Sequence, residues 1–181
     1  MCSLFGQKQA WKSGGVFRER SNQTHMLHFV WSILLVAAAL LSQSQEEYCN
    51  ERFSFCLTYP GGFFDRVEPS DNADGVRLLA EGKDIELSIS GSNNVLQWTL
   101  DDMRRLQREV IAEDYGAVQG LSERPGSGFV EFRFAAEGAT HLHRIYHRED
   151  EIVFLRIRLG RQTQPGLLAE LLSELIVQFN P

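Results

Sequence analysis

The sequence lacks the common motifs that mark a nucleotide-binding or nucleophilic catalytic site. It has no P-loop, no Gly-x-Gly-x-x-Gly turn and no Gly-x-Ser-x-Gly elbow, and Gly126-Ser127-Gly128 is typical of a turn. Ser88 and Ser90 alternate on a predicted strand with no histidine near them in the sequence. We therefore expect a protein that is not an enzyme and needs no cofactor. A hydrolase whose site is assembled from scattered residues is the alternative.

Basic residues are scarce over most of the chain. The net charge is −6, and it is about −9 after Ser44, because only four of the 18 basic and one of the 24 acidic residues precede Gln45. A surface this acidic repels phosphate backbones and anionic headgroups. The charge therefore indicates that the partner is neither a nucleic acid nor a lipid surface.

No apolar run in the sequence is long enough to cross a bilayer. The longest, residues 29–41, would form a helix of about 20 Å, whereas the hydrocarbon core is about 30 Å thick. This length is typical of the hydrophobic part of a signal peptide. Ser42 and Ser44 supply the small residues that precede cleavage, here before Gln45.

These features divide the chain into three segments. We interpret residues 1–25 as an unpatterned extension, residues 26–44 as the signal peptide and residues 45–181 as a single domain. Either Met1 or Met26 can be the first residue of the translated protein. The alternative is an uncleaved anchor formed by residues 27–41, facing outside the cytoplasm. We expect a periplasmic or secreted protein without stable membrane insertion after cleavage.

Cysteines are few, and cleavage would leave two of them, Cys49 and Cys56. An even pair in an exported domain predicts a disulfide. A fully extended chain would hold their Cα atoms about 23 Å apart, whereas a disulfide needs about 5.5 Å. The chain must therefore reverse between them, which predicts a hairpin that turns at Asn50-Glu51-Arg52. The alternatives are that the two cysteines bind a metal together with other ligands, or that they remain reduced.

Segments in which apolar residues alternate with polar ones are more numerous than segments in which apolar residues recur at helical spacing. We predict strands at residues 52–59, 63–67, 76–80, 85–89, 115–121, 129–136, 141–147 and 152–159, and helices at residues 100–113 and 167–179. The last three strands are separated by Glu137-Gly138 and Glu149-Asp150, which are short enough for antiparallel hairpins. The pattern predicts an α+β domain in which a mainly antiparallel sheet has helices on both faces.

The first strand region resembles the opening of the PsbP-like superfamily. The residues that carry this resemblance are Tyr48, Asn50, Phe53, Phe55, Leu57, Tyr59 and Pro60. The later order is similar too, with a strand pair, a helix, a three-strand meander and a C-terminal helix ending in Phe179. The resemblance covers residues 46–181 and implies an α/β/α sandwich, although Cys49 and Cys56 depart from its pattern.

Members of that superfamily include a photosystem II extrinsic subunit, a yeast Ran-binding protein and bacterial envelope proteins. None shares a catalytic set that can be placed on this sequence, so the resemblance implies a binding or assembly role. We therefore expect an exported protein that binds, or helps to assemble, a protein partner. The alternative is a small-anion or metal-binding protein that uses residues of the meander.

Four arginines of the meander form the candidate anion-binding set: Arg133, Arg144, Arg156 and Arg158. Guanidinium groups bind carboxylates and phosphates in a bidentate manner, so several of them on one sheet face would favour an anion. The competing interpretation is cross-strand pairing with Glu131, Glu149 and Glu151.

His141 and His143 form the candidate metal pair. Both rings project from one face of a strand about 6–7 Å apart, a spacing that allows two imidazoles to bind one metal. No third ligand is evident, and His147 lies too far along the strand. The competing interpretation is a pair of solvated or packed histidines.

Overall fold

The computed structural model describes residues 44–161, 163 and 166–179. The extension, the signal peptide and the alternative anchor lie outside these residues, apart from Ser44. The strands are β1 (Gln45–Asn50), β2 (Phe55–Pro60), β3 (Arg66–Pro69), β4 (Gly75–Ala80), β5 (Ile85–Asn93), β6 (Gln119–Gly126), β7 (Phe129–Ala136), β8 (Ala139–His147), β9 (Glu151–Leu159) and β10 (Ile176–Phe179). The helices are α1 (Leu100–Tyr115) and α2 (Leu167–Glu174), with a short 3-10 turn at Glu81–Lys83. Neither helix of this part combines the length and apolar character that a membrane span requires.

The strands form two antiparallel sheets. The large sheet has seven strands in the order β3-β4-β5-β9-β8-β7-β6, and the small sheet has three in the order β1-β2-β10. The meander β7-β8-β9 is built from hairpins, as the short separators predicted. At its first turn Glu137 and Gly138 both have positive φ, 52° and 77°, which is the conformation that a two-residue hairpin turn requires.

The large sheet buries apolar side chains on both faces. On β9, Val153, Leu155 and Ile157 enter a core shared with the small sheet, whereas Ile152 and Phe154 enter a second core beneath α1. We call these the small-sheet face and the α1 face. The strand itself agrees with the one predicted at residues 152–159.

Each face has a different cover. Met103 and Ile111 of α1 are buried in the second core, and Leu171 of α2 is buried with the small sheet in the first. The domain is therefore α+β with a mainly antiparallel, strand-rich architecture. Much of the cover on one face is a sheet, which the expected sandwich of helix, sheet and helix did not include.

The helix α1 begins at a capping box. The Thr99 hydroxyl accepts a hydrogen bond from the Asp102 amide at 3.2 Å, and the Asp102 carboxylate accepts one from the Thr99 amide at 3.0 Å. The two interactions satisfy amide groups that the first turn leaves without helical partners. The sequence predicted a helix at this position, over residues 100–113.

Cys49 and Cys56 face one another in the register of β1 and β2 and are joined by a disulfide. Their Cα atoms are 4.1 Å apart. Between them the chain reverses, and Asn50 holds the turn by accepting a hydrogen bond from the Phe53 amide at 3.1 Å. The pairing agrees with the hairpin predicted from the sequence.

The prediction of one helix over residues 167–179 is wrong in its last part. Helix α2 ends at Glu174, and Ile176–Phe179 forms β10, which pairs with the open edge of β2. Val177 and Phe179 then pack on the core while Ile176 and Gln178 are exposed. The edge of β2 supplies hydrogen-bonding partners that a helical pattern does not take into account.

Candidate functional site

The four candidate arginines are divided between the two faces of the large sheet. In the register of β7, β8 and β9, Glu131 lies opposite Arg144, which lies opposite Leu155 of the small-sheet core. Arg156 lies opposite His143, on the α1 face. Successive residues of a strand point to opposite faces, so Arg133 and Arg144 are separated from Arg156 and Arg158. The single anion-binding patch expected from the sequence is therefore not formed.

On the small-sheet face Arg133 and Arg144 are occupied by one acid. The side chain of Glu131 is 2% exposed and accepts from Arg133 Nε at 2.7 Å and from Arg144 Nε at 2.9 Å. Burial alone would raise the pKa of Glu131, but the hydrogen bonds and charges of Arg144 and Arg133 outweigh it and lower that pKa. For Arg133 and Arg144, the structure therefore agrees with the competing interpretation, in which the arginines pair with an acid of the sheet.

The α1 face carries a polar pocket of about 190 Å³ over β5, β8 and β9. Its lining residues are Glu86, Ser88, Tyr115, His141, His143, Arg156, Ile157 and Arg158. The strand register explains this set, because Ser88, Arg156 and His143 form one cross-strand row. Glu86, Arg158 and His141 form the next row. Four of the six candidate anion and metal residues therefore meet in one place.

Salt bridges neutralise most of the charges around this pocket. Arg158 Nη1 lies 3.3 Å from Asp84 Oδ1, and Glu86 Oε1 lies 2.7 Å from Arg77 Nε. Arg156 forms neither an ion pair nor a hydrogen bond with any residue that the structure describes. Of the two arginines that line this pocket, Arg156 is therefore the one without a salt bridge to a described residue.

His143 is 3% exposed, and its ring is fixed by α1. Its Nδ1 lies 3.0 Å from Nε2 of the buried Gln107. An amide nitrogen only donates, so Nδ1 accepts and the ring proton is on Nε2. Burial, followed by the nearby charges of Arg156 and His141, lowers the pKa of His143 to about 3. His143 is therefore a neutral structural contact between β8 and α1.

His141 is 4% exposed and packs between aromatic rings. It stacks on Phe134 with ring centroids 5.0 Å apart, and the Tyr115 ring lies 4.7 Å away on another side. Its Nε2 is buried without a hydrogen-bond partner. Burial is the main cause that lowers the pKa of His141, while a hydrogen bond with the Ala136 backbone opposes it. The ring is therefore neutral at physiological pH.

The two histidines do not complete a metal site among the described residues. Their ring centroids are 6.2 Å apart, as the strand geometry predicted, but no third histidine, cysteine or acid converges on them there. The three-residue group that has suitable spacing is Glu47 with Cys49 and Cys56. Its sulfur atoms are bonded to each other, so they are not free to bind a metal.

A second surface feature lies in the connection between β5 and α1. Val95 and Leu96 are 83% and 68% exposed, the largest values among the exposed large apolar side chains of the described residues. They form the tip of a turn whose Gln97 amide donates to the Asn94 carbonyl at 2.9 Å. Adjacent exposed apolar side chains contribute nothing to the core, so they are candidates for an intermolecular contact.

The turn is held rigidly by buried polar groups. Asn94 Oδ1 accepts from the Trp98 amide at 2.8 Å, and Asn94 Nδ2 donates to the Trp98 carbonyl at 3.0 Å. The Asn94 amide donates to the Asp150 carbonyl at 2.7 Å, which joins the turn to the β8–β9 connection. Val95 and Leu96 are therefore presented in a fixed position.

Comparison with known proteins identifies the fold. No protein-family model matches the chain, and no curated protein matches it. Its structure is similar to the solution structure of cyanobacterial PsbP from Synechocystis sp. PCC 6803, with a TM-score of 0.51. The fold is PsbP-like. The similarity covers 75% of this chain and 94% of the cyanobacterial chain at 16% identity, so it establishes the fold alone.

Sequence analysis missed several residues of these two surfaces. It did not select Ser88 or Glu86 for the pocket, because they lie on a strand far from the meander in the sequence. Tyr115 was placed in a strand, whereas it ends α1. Val95 and Leu96 received no role, although two apolar residues directly after Asn93-Asn94 were the signal that could have identified them.

Proposed function

We propose that this protein is a non-enzymatic, exported protein that binds a protein partner through the turn of Val95 and Leu96. The observation that carries the proposal is the exposure of these two side chains on a turn anchored by Asn94. An apolar side chain gains roughly 25 cal/mol for each Å² that a partner removes from water. A turn that is already ordered loses little conformational entropy on binding, so more of this gain remains as affinity.

Three other observations support a binding role. The fold is PsbP-like, and the superfamily resemblance implies binding or assembly. The described surface is acidic and has no free lysine cluster, which is compatible with a protein partner rather than a nucleic acid. The polar pocket is lined by two neutral histidines, two arginines and Ser88, and no hydrogen bond joins Ser88 to a base among the residues that the structure describes.

Export is supported by the cysteine chemistry and by the position of the predicted cleavage site. A disulfide persists in oxidising compartments, and the Cys49–Cys56 pair is bonded. Strand β1 begins at Gln45, so cleavage before Gln45 would leave this strand complete. N-terminal sequencing of the exported protein should give Gln45. Retention of Met1 or Met26 on a membrane-bound form would favour the anchor formed by residues 27–41.

Site-specific photo-crosslinking in the source cell tests the partner surface. A photoreactive side chain at Leu96 should give one discrete protein adduct, and Val95→Asp in the same chain should abolish it. Leu121, which is also exposed but lies on the edge strand β6, is the matched control position. The proposal fails if position 96 gives no adduct, or if positions 96 and 121 give the same adducts.

A further inference from the structure

Several connections of the domain meet around the Val95–Leu96 turn. The Asn94 amide donates to the Asp150 carbonyl of the β8–β9 connection at 2.7 Å. The Gly91 amide donates to the Asp74 carbonyl of the β3–β4 connection at 2.8 Å. We infer that this surface binds a segment of the partner in which basic side chains flank an apolar one. The inference rests on the proposed function, because it names the chemistry of the partner that the turn binds.

A pocket of about 250 Å³ lies beside the turn, and Val95 itself forms part of its wall. The buried ring of Phe53 also lines this pocket, so part of the wall is apolar. Arg52, Asn72 and Asp74 contribute polar groups. The volume is below the roughly 300 Å³ at which pockets for drug-sized ligands begin. The Val95 pocket therefore suits a single side chain of a protein partner.

Acidic side chains lie around the turn and the Val95 pocket. Asp74 lines the pocket, and its carboxylate accepts from Asn72 Nδ2 at 2.9 Å. Glu149 and Asp150 are exposed, and their backbone carbonyls both accept from Asn94. None of these three acids forms a salt bridge with a residue that the structure describes. Two exposed apolar side chains are therefore bordered by negative charges that lack a basic partner.

The nearby basic residues do not balance these acids. Arg148 Nη1 lies 3.3 Å from Glu151 Oε2, so its charge is paired. Arg52 Nη1 donates to the Asn72 carbonyl at 3.0 Å, and its guanidinium carbon lies 4.9 Å from the centroid of the Phe53 ring. Counting the charge of Arg52 against the three acids still leaves two negative charges at this surface.

The arrangement has the anatomy of a specific interface, with an apolar centre and a charged rim. Charges at a rim select the partner and speed association, because like charges that face each other across an interface repel. A lysine or arginine on the partner could cover Leu96 with its apolar stem and place its charge at Asp150 or Glu149. A partner with acids beside its apolar residue would be rejected.

Three synthetic peptides test the inference. They contain four repeats of Lys-Leu-Lys, of Lys-Ser-Lys or of Glu-Leu-Glu, and binding is followed by the NMR shifts of the protein amides. The Lys-Leu-Lys peptide should shift the amides of residues 91–98 and 149–150 saturably. The other two should bind at least tenfold more weakly, because one lacks the apolar side chains and the other lacks the positive charge.

Three outcomes of this titration would overturn the inference. Equal binding of the two lysine peptides would show non-specific charge attraction. Equal binding of the two leucine peptides would show that the surface does not select for charge. The third is the absence of a saturable shift with the Lys-Leu-Lys peptide at millimolar concentration.

A charge-neutralised protein locates the contact. It carries the substitutions Asp74→Asn, Glu149→Gln and Asp150→Asn, and it should bind the Lys-Leu-Lys peptide at least tenfold more weakly. The control removes the same charge from exposed acids of α1, with Glu109→Gln, Glu113→Gln and Asp114→Asn. The control should keep the wild-type affinity, and equal losses in both proteins would overturn the inference. Binding by the wild type should also weaken at about 0.5 M salt, where charges on a surface are screened.

The photo-crosslink from position 96 separates a failure of this inference from a failure of the proposed function. The charge-neutralised chain should give less of the adduct than the control chain. If the adduct is the same in both, the partner surface stands and the basic partner is wrong. If position 96 gives no adduct in the wild type, the proposed function fails and this inference fails with it.

Discussion

Glu131 of β7 and Arg144 of β8 are direct partners in the antiparallel register, and their ion pair lies on the small-sheet face. Arg133, two residues along β7, binds the second oxygen of the same carboxylate. Arg144 also donates to the Tyr146 hydroxyl at 3.2 Å, and its guanidinium carbon lies 5.0 Å from the centroid of the Phe129 ring. A buried carboxylate that is satisfied by two guanidinium groups is a structural unit, so these arginines are not available to a ligand.

Glu131→Gln should destabilise the protein by about 2 kcal/mol, because it removes the charge that compensates two arginines. Glu68→Gln is the matched control, since Glu68 also lies between two arginines, Arg66 and Arg77, but is exposed to solvent. The control should change the free energy of unfolding by less than about 0.5 kcal/mol. Urea unfolding of the three proteins gives these values, and equal effects of both substitutions would contradict the structural role of Glu131.

Much of the fold follows from local patterns in the sequence. The chain reversal between Cys49 and Cys56, the Thr99 cap and the alternation of β9 are set by neighbouring residues, so sequence analysis could predict them. The two-residue turns at Glu137-Gly138 and Glu149-Asp150 also fix the register of the meander. A strict use of that register would have placed Arg144 and Arg156 on opposite faces.

Other features depend on contacts between distant segments. Strand β10 forms because β2 has an open edge, and the apolar residues near Phe179 fit a helical period as well as a strand. The pocket needs Ser88 of β5 beside Arg156 of β9, which are far apart in sequence. The free Nε2 of His141 results from three-dimensional packing and has no signal in the sequence.

The disulfide should contribute about 2–3 kcal/mol to stability, because it closes a short loop in the unfolded chain. The double variant Cys49→Ser, Cys56→Ser should lose this amount while keeping the same strand pairing, since β2 is also held by β10. Reduced wild-type protein should show the same free energy of unfolding as the double variant. A double variant as stable as the oxidised wild type would show that the disulfide does not stabilise the domain.

Asn94→Ala should loosen the turn that presents Val95 and Leu96. It removes two hydrogen bonds with Trp98 and leaves the part-buried Trp98 amide without a partner, whereas the Trp98 carbonyl keeps its bond with His147 Nε2. The expected loss is therefore about 1 kcal/mol. Amide hydrogen exchange at residues 94–98 should become faster, and the photo-crosslink from position 96 should weaken. Asn93→Ala is the control, because Asn93 is exposed and its side chain makes no such bonds. Unchanged exchange in Asn94→Ala would contradict a turn held by this side chain.

The buried histidine His143 should make stability depend on pH from about pH 6.5 downward, so that the dependence begins above the range in which carboxylates titrate. Its pKa is about 3 in the folded protein, chiefly because of burial, and about 6.5 in an unfolded chain. Below pH 6.5 the unfolded chain therefore binds a proton that the folded protein does not. The stabilising contribution of the neutral ring is complete above pH 6.5 and is lost as the pH falls toward 3.

This loss has a slope of at most about 1.4 kcal/mol per pH unit for one histidine. His141, whose pKa burial also lowers, adds to the slope in the same direction. His143→Leu should remove one proton from the dependence between pH 6 and pH 4.5. At pH 8 the wild-type ring is neutral in both the folded and the unfolded state. The difference in free energy of unfolding between wild type and His143→Leu at that pH therefore measures the loss of the Gln107 contact without any titration. If wild type and His143→Leu lose stability in parallel over this range, His143 takes up its proton in the folded protein as it does in the unfolded chain. That result would contradict a neutral His143 between β8 and α1.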